Sequence, residues 1–352
     1  MSEQVADALV LRAVRAQAEL HHAYLLGLQL MVANHHESDV IEEWMFRLFR
    51  QQHLDKFLSS FDKLGLSGLP DAVACAKYHV LSNSIGGVPV EYMEESERKA
   101  WVRFRYPRWM YAGPTVCGVP VGVSRGFLRG WYAHNGVSLG NPRLGFVCVS
   151  EDMTGEYGFC GYFREFDQKL ADDERLQFAR DELPPRFETV RPLSPPAEEW
   201  NEERLCKANR NYAVEYIRNA LVKLCEVIGV EATREIGQRA ARLIGLQYYQ
   251  QTAAAISAVD GSVADAAWYL ATMLRGLGDM AVIQESSGVD EARVTQSALR
   301  IVRGMEGNDR DLLLSCWTEL WVGAVRSHRQ LMDAEWRLQG GNGIEWRLYR
   351  RN

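Results

Sequence analysis

The stretch GVPVEYMEESERKAWVRFRY, residues 87–106, decides the fold class. Val88, Val90 and Tyr92 recur every second residue. So do Ala100, Val102, Phe104 and Tyr106, against Trp101, Arg103 and Arg105 on the other face. A period of two is the signature of extended chain with one buried face, and ESERK between the runs reads as a turn. Upstream the period changes to three and four. Ala6, Leu9, Ala13, Ala16, Leu20, Tyr24, Leu28 and Met31 share one face of a first helix, from Val5 to about Ala33. A second helix is predicted from about Asp39 to Phe61, with Ser38 or Asp39 as N-cap and Glu42 and Glu43 in its first turn. A third starts near Pro70 and ends near Gly86–Gly87. Downstream come a Gly- and Pro-rich loop, a helix over about 121–135, and strands at 143–150 and 158–166. Helices and strands segregated in this way predict an α+β fold.

The order recurs in the second half. Helices are predicted over 234–256 and 265–274. Strands follow at AVIQES and RVTQSALRIV, then a helix through LLSCWTELWVGAVRSHRQLM and a closing strand, GIEWRLYR. DAVACAKYHVL (71–81) aligns with DAAWYLATMLR (265–275), and Gly155, Gly158 and Phe159 stand beside Gly340, Gly343 and Ile344. The expected architecture is therefore two diverged copies of a helix-helix-β-hairpin-helix-strand unit, packed pseudo-symmetrically. All eleven prolines lie between Pro70 and Pro196, five of them in PPRFETVRPLSPP (184–196). That run predicts a stiff linker, so the expected domains are 1–183, a linker over 184–203, and 204–352.

Of the 352 residues, 47% are hydrophobic and 24% charged, with a formal charge of −6. This is an ordinary globular balance. A mildly acidic chain with no long basic run is not expected to bind nucleic acid. No apolar run reaches membrane-spanning length, and MSEQVADALV has no basic-then-apolar leader, so neither membrane nor secretion is expected. The seven cysteines are odd in number and scattered without a CxxC pair, which fits a reducing, cytoplasmic setting. No H-x3-H, HExxH, GxGxxG or P-loop occurs, so no metal and no cofactor is expected.

Contrast between the copies points to candidate residues. His79 lies on the apolar stripe Ala72, Cys75, Ala76 and His79, where the second copy has Met273. It is either a satisfied core histidine or a general acid–base group. The segment from Arg105 to Arg164 concentrates the rest. Arg105 and Arg108 have the forked donors that hold a carboxylate. Trp109, Trp131 and Tyr132 could wall a pocket for a small planar ligand. The same arginines and tryptophans could instead cover a hydrophobic surface between the units. Cys117, in a loop, is the candidate nucleophile, with His79 or His134 as base. Cys148 and Cys160, on strands, read as packing. Glu151 and Asp152 are a carboxylate pair in a turn, and His53 could join a site assembled in three dimensions.

At YMEESERKAWVRFRYPRW, the helix before it and the glycine-led closing strand, the order resembles the L-2-amino-thiazoline-4-carboxylate hydrolase family. The resemblance covers both halves. It implies hydrolysis of a C–N bond in a small carboxylated, nitrogen-containing compound. That family tends to carry cysteines near the helix after the hairpin and near the final strand. Cys117, Cys148 and Cys160 occupy similar places in the first half. The second half has only Cys316, with Glu345 and Trp346 in its last strand, so the first half is expected to carry the site. The alternatives are a non-catalytic small-ligand binding or sensory protein of the same fold, and a scaffold that binds partners through an exposed first helix. The apolar stripe of that helix also predicts a homodimer.

Overall fold

The computed structural model describes residues 3–105, 113–152, 158–187, 193, 200–258, 260–288, 290–328, 332–340 and 342–351. The fold is α+β, and the chain divides into two compact units. One comprises Val32–Leu205. The other combines Met1–Met31 with Cys206–Asn352. The first helix therefore does not belong with residues 32–183, as the sequence reading places it.

In the unit of residues 32–205, helix α2 (Ser38–Lys56) is followed by two short 3-10 turns, α3 (Asp71–Ile85), and the hairpin β1 (Val90–Ser96) and β2 (Lys99–Phe104). Then come α4 (Val121–Gly130), a 3-10 turn over 132–134, α5 (Asn135–Leu139), β3 (Leu144–Ser150), β4 (Cys160–Glu165) and β5 (Leu176–Phe178). The single helix predicted over 121–135 is thus broken at Trp131. The sheet order is β1-β2-β4-β3-β5, antiparallel except for β5 beside β3. Ala100, Val102 and Phe104 of β2 face the helices with Phe163 of β4. Met93, Trp101, Val147, Val149, Cys160 and Tyr162 form a separate core cluster on the other face, as strand alternation requires.

Three glycines set the contact between α2 and α4. A Cβ on Gly126 would lie 2.5 Å from the Glu42 carbonyl and 2.6 Å from Met45 Cβ. One on Gly130 would lie 2.5 Å from the Phe46 carbonyl, and one on Gly122 3.0 Å from that of Ser38. The two backbones touch with no side chain between them.

The other unit holds α1 (Glu3–His35) up to Met31, α6 (Glu202–Ile228), α7 (Val230–Ala255), α8 (Val263–Leu277), β6 (Met280–Gly288), β7 (Glu291–Ser297), α9 (Gly307–Arg326), β8 (Met332–Gln339) and β9 (Gly343–Arg350). Its sheet order, β6-β7-β9-β8, matches β1-β2-β4-β3 position for position. Glycine again sets a helix contact: Gly245 of α7 meets the backbone of Leu320 and Ala324 on α9, and Gly323 of α9 meets that of Arg242. The apolar stripe of α1 is not an exposed docking face. Ala13, Ala16, Leu20, Tyr24 and Leu28 are buried. The Tyr24 hydroxyl donates to the Gly237 carbonyl at 2.9 Å, and the Trp317 indole donates to His21 Nε2 at 3.0 Å.

Beside the short α5 and β5, two longer elements escape the sequence reading. Helix α6 precedes the run taken as the start of the repeat. Strand β8 hides because the helical spacing of α9 carries on to Leu331 and Met332, so the change of period is masked. No helix among the described residues is long and apolar enough to cross a membrane.

Gly126→Ala tests the backbone contact. On a free helix surface the change would stabilise by about 1 kcal/mol. Here the added methyl meets backbone, and a loss of about 1–3 kcal/mol is expected instead, read as a lower midpoint in urea unfolding.

Candidate functional site

The last turn of α2 and the break after α4 come together because Gly126 and Gly130 let the helices touch. His53, in that last turn, is buried, and its ring lies 5.7 Å edge-on from the Trp131 indole. Phe57, one turn on, stacks 4.6 Å from His53 and 4.9 Å from Tyr78 of α3. Tyr78 lies over Trp131 at 6.3 Å. His79 sits 3.9 Å from Tyr132 in a parallel stack and 5.4 Å from Phe163. The result is an aromatic box holding two imidazoles.

Hydrogen bonds fix the protons. Arg50 Nη1 lies 2.7 Å from His53 Nδ1. A guanidinium only donates, so Nδ1 accepts and the neutral ring carries its proton on Nε2. Burial lowers the pKa of His53 to about 3, and the Arg50 and His134 charges add to this. Among the described residues, neither His53 Nε2 nor Trp131 Nε1 has an acceptor. Two N–H donors, on rings 5.7 Å apart, are therefore buried and both unsatisfied. Each such group costs about 1–3 kcal/mol, so an acceptor that reached it would be held strongly.

The sequence-predicted residues fare differently. His79 and Trp131 are brought together, their rings 6.3 Å apart. His79 is 2% exposed, its Nε2 accepts from the Asn135 amide at 3.0 Å, and burial holds its pKa well below 6.5. It occupies the position of a satisfied core histidine. Cys75, one turn earlier, also has the Asn135 side chain as a hydrogen-bond partner, and burial pushes its thiol well up. His134 is half-buried. Its Nδ1 donates to the Arg129 carbonyl at 2.8 Å, which leaves Nε2 as a lone-pair base. Burial, with Arg50 beside it, lowers its pKa.

Arg105 does not join this group. Strand alternation places it with Arg103 on the face of the sheet opposite His79, where its Nε lies 4.0 Å from Glu91. Cys117 is exposed, and among the described residues no hydrogen bond joins it to a histidine. Arg108 and Trp109 lie outside the described residues. The carboxylate of Glu151 is buried between Arg180 and Arg125, and Asp152 accepts the Phe159 N–H at 3.1 Å. Cys160 is buried, its thiol pushed up to about 12. No group of three His, Cys, Asp or Glu among the described residues could hold a metal ion.

The matching position in the other unit was not legible in advance. Tyr249, near the end of α7, hydrogen-bonds His328 Nδ1 just beyond α9. His328 Nε2 lies 3.1 Å from the Ser262 carbonyl and 3.9 Å from Asp265. Here the two groups satisfy each other. In the unit of residues 32–205 the pair at the ends of the glycine-packed helices, His53 and Trp131, consists of two donors.

Buried neutral histidines make stability depend on pH. Unfolded, each titrates near 6.5; folded, each stays neutral to much lower pH. The unfolded chain then binds the extra proton, so stability is full above 6.5 and falls as pH drops towards the lowered folded values. His79→Met, which installs the residue found at Met273, removes one such group. Its unfolding free energy should fall less steeply between pH 6 and 4.5, by about 1.4 kcal/mol per pH unit, in urea titrations at each pH.

No family model matches the chain, and no curated protein or solved structure matches it either.

Proposed function

We propose that the protein binds a small carboxylated compound, with a carboxylate oxygen between His53 Nε2–H and Trp131 Nε1–H. The observation that carries this reading is the pair of buried donors without acceptors in an aromatic box. Arg50 favours an anion over a neutral carbonyl. Its cation polarises His53 through Nδ1, which makes the opposite N–H a stronger donor, and charge-assisted hydrogen bonds are the strong ones. Phe57, Tyr78 and Trp131 suit a flat ligand body.

Hydrolysis of a C–N bond, which the family resemblance implies, is the second reading, and His134 is the observation that favours it. It is a neutral histidine with a free Nε2 lone pair and partial solvent access, close enough to His53 for their charges to interact. It could take a proton from an attacking water. For the thiol chemistry of Cys117, no hydrogen bond among the described residues joins it to a base.

Calorimetric titration with acetate, benzoate and thiazoline- and imidazole-carboxylates checks the binding. Trp131→Phe keeps an aromatic ring and deletes the donor, and a charged hydrogen bond of about 1.5–3 kcal/mol translates into roughly 10- to 100-fold weaker binding. Equal affinity in the variant would sink the site, as would density showing only a water between the donors. Amine release from the bound compound, lost in His134→Ala with binding intact, would establish the hydrolase. Binding without release would establish the binding protein.

A further inference from the structure

A further buried polar atom stands in the wall of the aromatic box, and it is of the opposite kind to the two donors. Asn135, the first residue of α5, is fully buried, and among the described residues nothing donates to its Oδ1. The orientation of the amide follows from its neighbours. Asn135 Nδ2 lies 3.0 Å from His79 Nε2. The Asn135 side chain also lowers the pKa of the Cys75 thiol, against the effect of burial, which is what an N–H directed at sulfur does. Both hydrogens of Nδ2 are thus committed, one to His79 and one to Cys75, and the carbonyl arm has no partner. A buried acceptor without a donor calls for an explanation as much as a buried donor without an acceptor.

His79 fixes the place of Asn135 in the box. The faces of the imidazole are covered by Tyr132 at 3.9 Å and Phe163 at 5.4 Å, so only its edges meet other groups. One edge takes the Asn135 amide. Tyr78 and Trp131 stand against the remaining edge, steeply inclined to the ring and 5.3 and 6.3 Å from it. Asn135 also follows Trp131 by four residues, through the 3-10 turn over 132–134. At that helical spacing the two side chains leave the chain on the same side.

We propose that Asn135 Oδ1 accepts a hydrogen bond from the carboxylated ligand, so that the compound carries a neutral N–H donor as well as its carboxylate. This rests on the carboxylate site at His53 and Trp131 proposed above, and it makes Asn135 the residue that sets specificity there. The chemistry of the three atoms selects the class. Two N–H donors, one of them polarised by Arg50, suit an anionic acceptor. A lone amide oxygen suits one neutral donor. An ammonium would bring three donors and a full positive charge into a buried box where Arg50 already supplies a cation, and a buried charge without a counter-charge is costly. A ring N–H keeps the donor in the plane of a flat ligand, the shape that Phe57, Tyr78 and Trp131 accommodate. The class is therefore a small heteroaromatic carboxylate with an unsubstituted ring N–H.

Pyrrole-2-carboxylate against furan-2-carboxylate, and the matching pair of 3-carboxylates, provide the test. Within each pair shape and charge are kept, and the ring N–H is replaced by an oxygen that cannot donate. Calorimetric titration of the full chain at neutral pH should give at least one pyrrole roughly 10-fold tighter than its furan, because the furan leaves Oδ1 buried and unpaired. Asn135→Leu should bring that ratio to one by weakening the pyrrole, with the affinity for the furan kept. If Asn135→Leu does not fold, the ratio in the unmodified protein decides. Pyrroles and furans that bind equally overturn the inference and leave the carboxylate site standing. So does a preference for pyrrole that survives in folded Asn135→Leu, and so does loss of furan binding in that variant, which marks a purely structural role. Failure of all four compounds to bind overturns the carboxylate site as well.

Discussion

Backbone-to-backbone contact between the helix that precedes each core helix and the helix between its two hairpins organises both units. The contact runs through Gly122, Gly126 and Gly130 in one unit and through Gly245 and Gly323 in the other. Each glycine weakens its own helix by about 1 kcal/mol relative to alanine. What the fold gains is distance: two helices held close enough for the residues at their ends to touch across the pair. The ends of these helices are where both buried polar pairs lie. His53 and Trp131 meet at one, Tyr249 and His328 at the other. If either helix pair were spread by a methyl group, these contacts would be the first to lengthen.

The buried imidazoles are read through their neighbours. His21 accepts from Trp317 and has its other nitrogen on the Gln17 carbonyl. His79 accepts from Asn135, and His328 lies between Tyr249 and a backbone carbonyl. In each case the ring is buried and its hydrogen bonds run to neutral groups, which is how a fold accommodates a histidine it does not use for chemistry. His53 departs from this pattern. One nitrogen is met by a cation and the other by no acceptor among the described residues.

Much of the fold was legible in sequence because period changes are sharp. The hairpin at 87–106 alternates strictly, and α3 and α8 fall at aligned sequences, Asp71 to Ile85 and Val263 to Leu277. Strand β8 was not legible, because α9 runs into it without a break in apolar spacing. The affiliation of α1 was not legible either, since a helix does not record in its own sequence which unit its apolar stripe will meet. For the candidate site, contrast between the aligned segments singled out His79 against Met273, and that contrast marked a difference in the core rather than the unsatisfied donors. Trp131 was singled out by its neighbourhood. Arg50 was missed although it stands three residues before His53, on the same face of one helix. Arg105 failed as a site residue for a reason already in the hairpin: alternation assigns Arg103 and Arg105 to the face opposite the helices.

Two units of the same strand order thus hold polar pairs of opposite kind at the ends of their packed helices. Where a tyrosine hydroxyl meets a histidine, donor and acceptor close on each other and the position needs nothing further. Where a histidine meets a tryptophan, and an arginine has already taken the histidine's lone pair, two donors remain. A folded domain is stable by only about 5–15 kcal/mol, so retaining two unsatisfied donors at about 1–3 kcal/mol each is a sizeable fraction of that. Replacing Trp131 with phenylalanine would relieve part of the cost with the ring kept. That the costlier pair stands in the unit lined with aromatic rings, and the self-satisfied pair in the other, is the strongest reason to look for a ligand at His53 and Trp131.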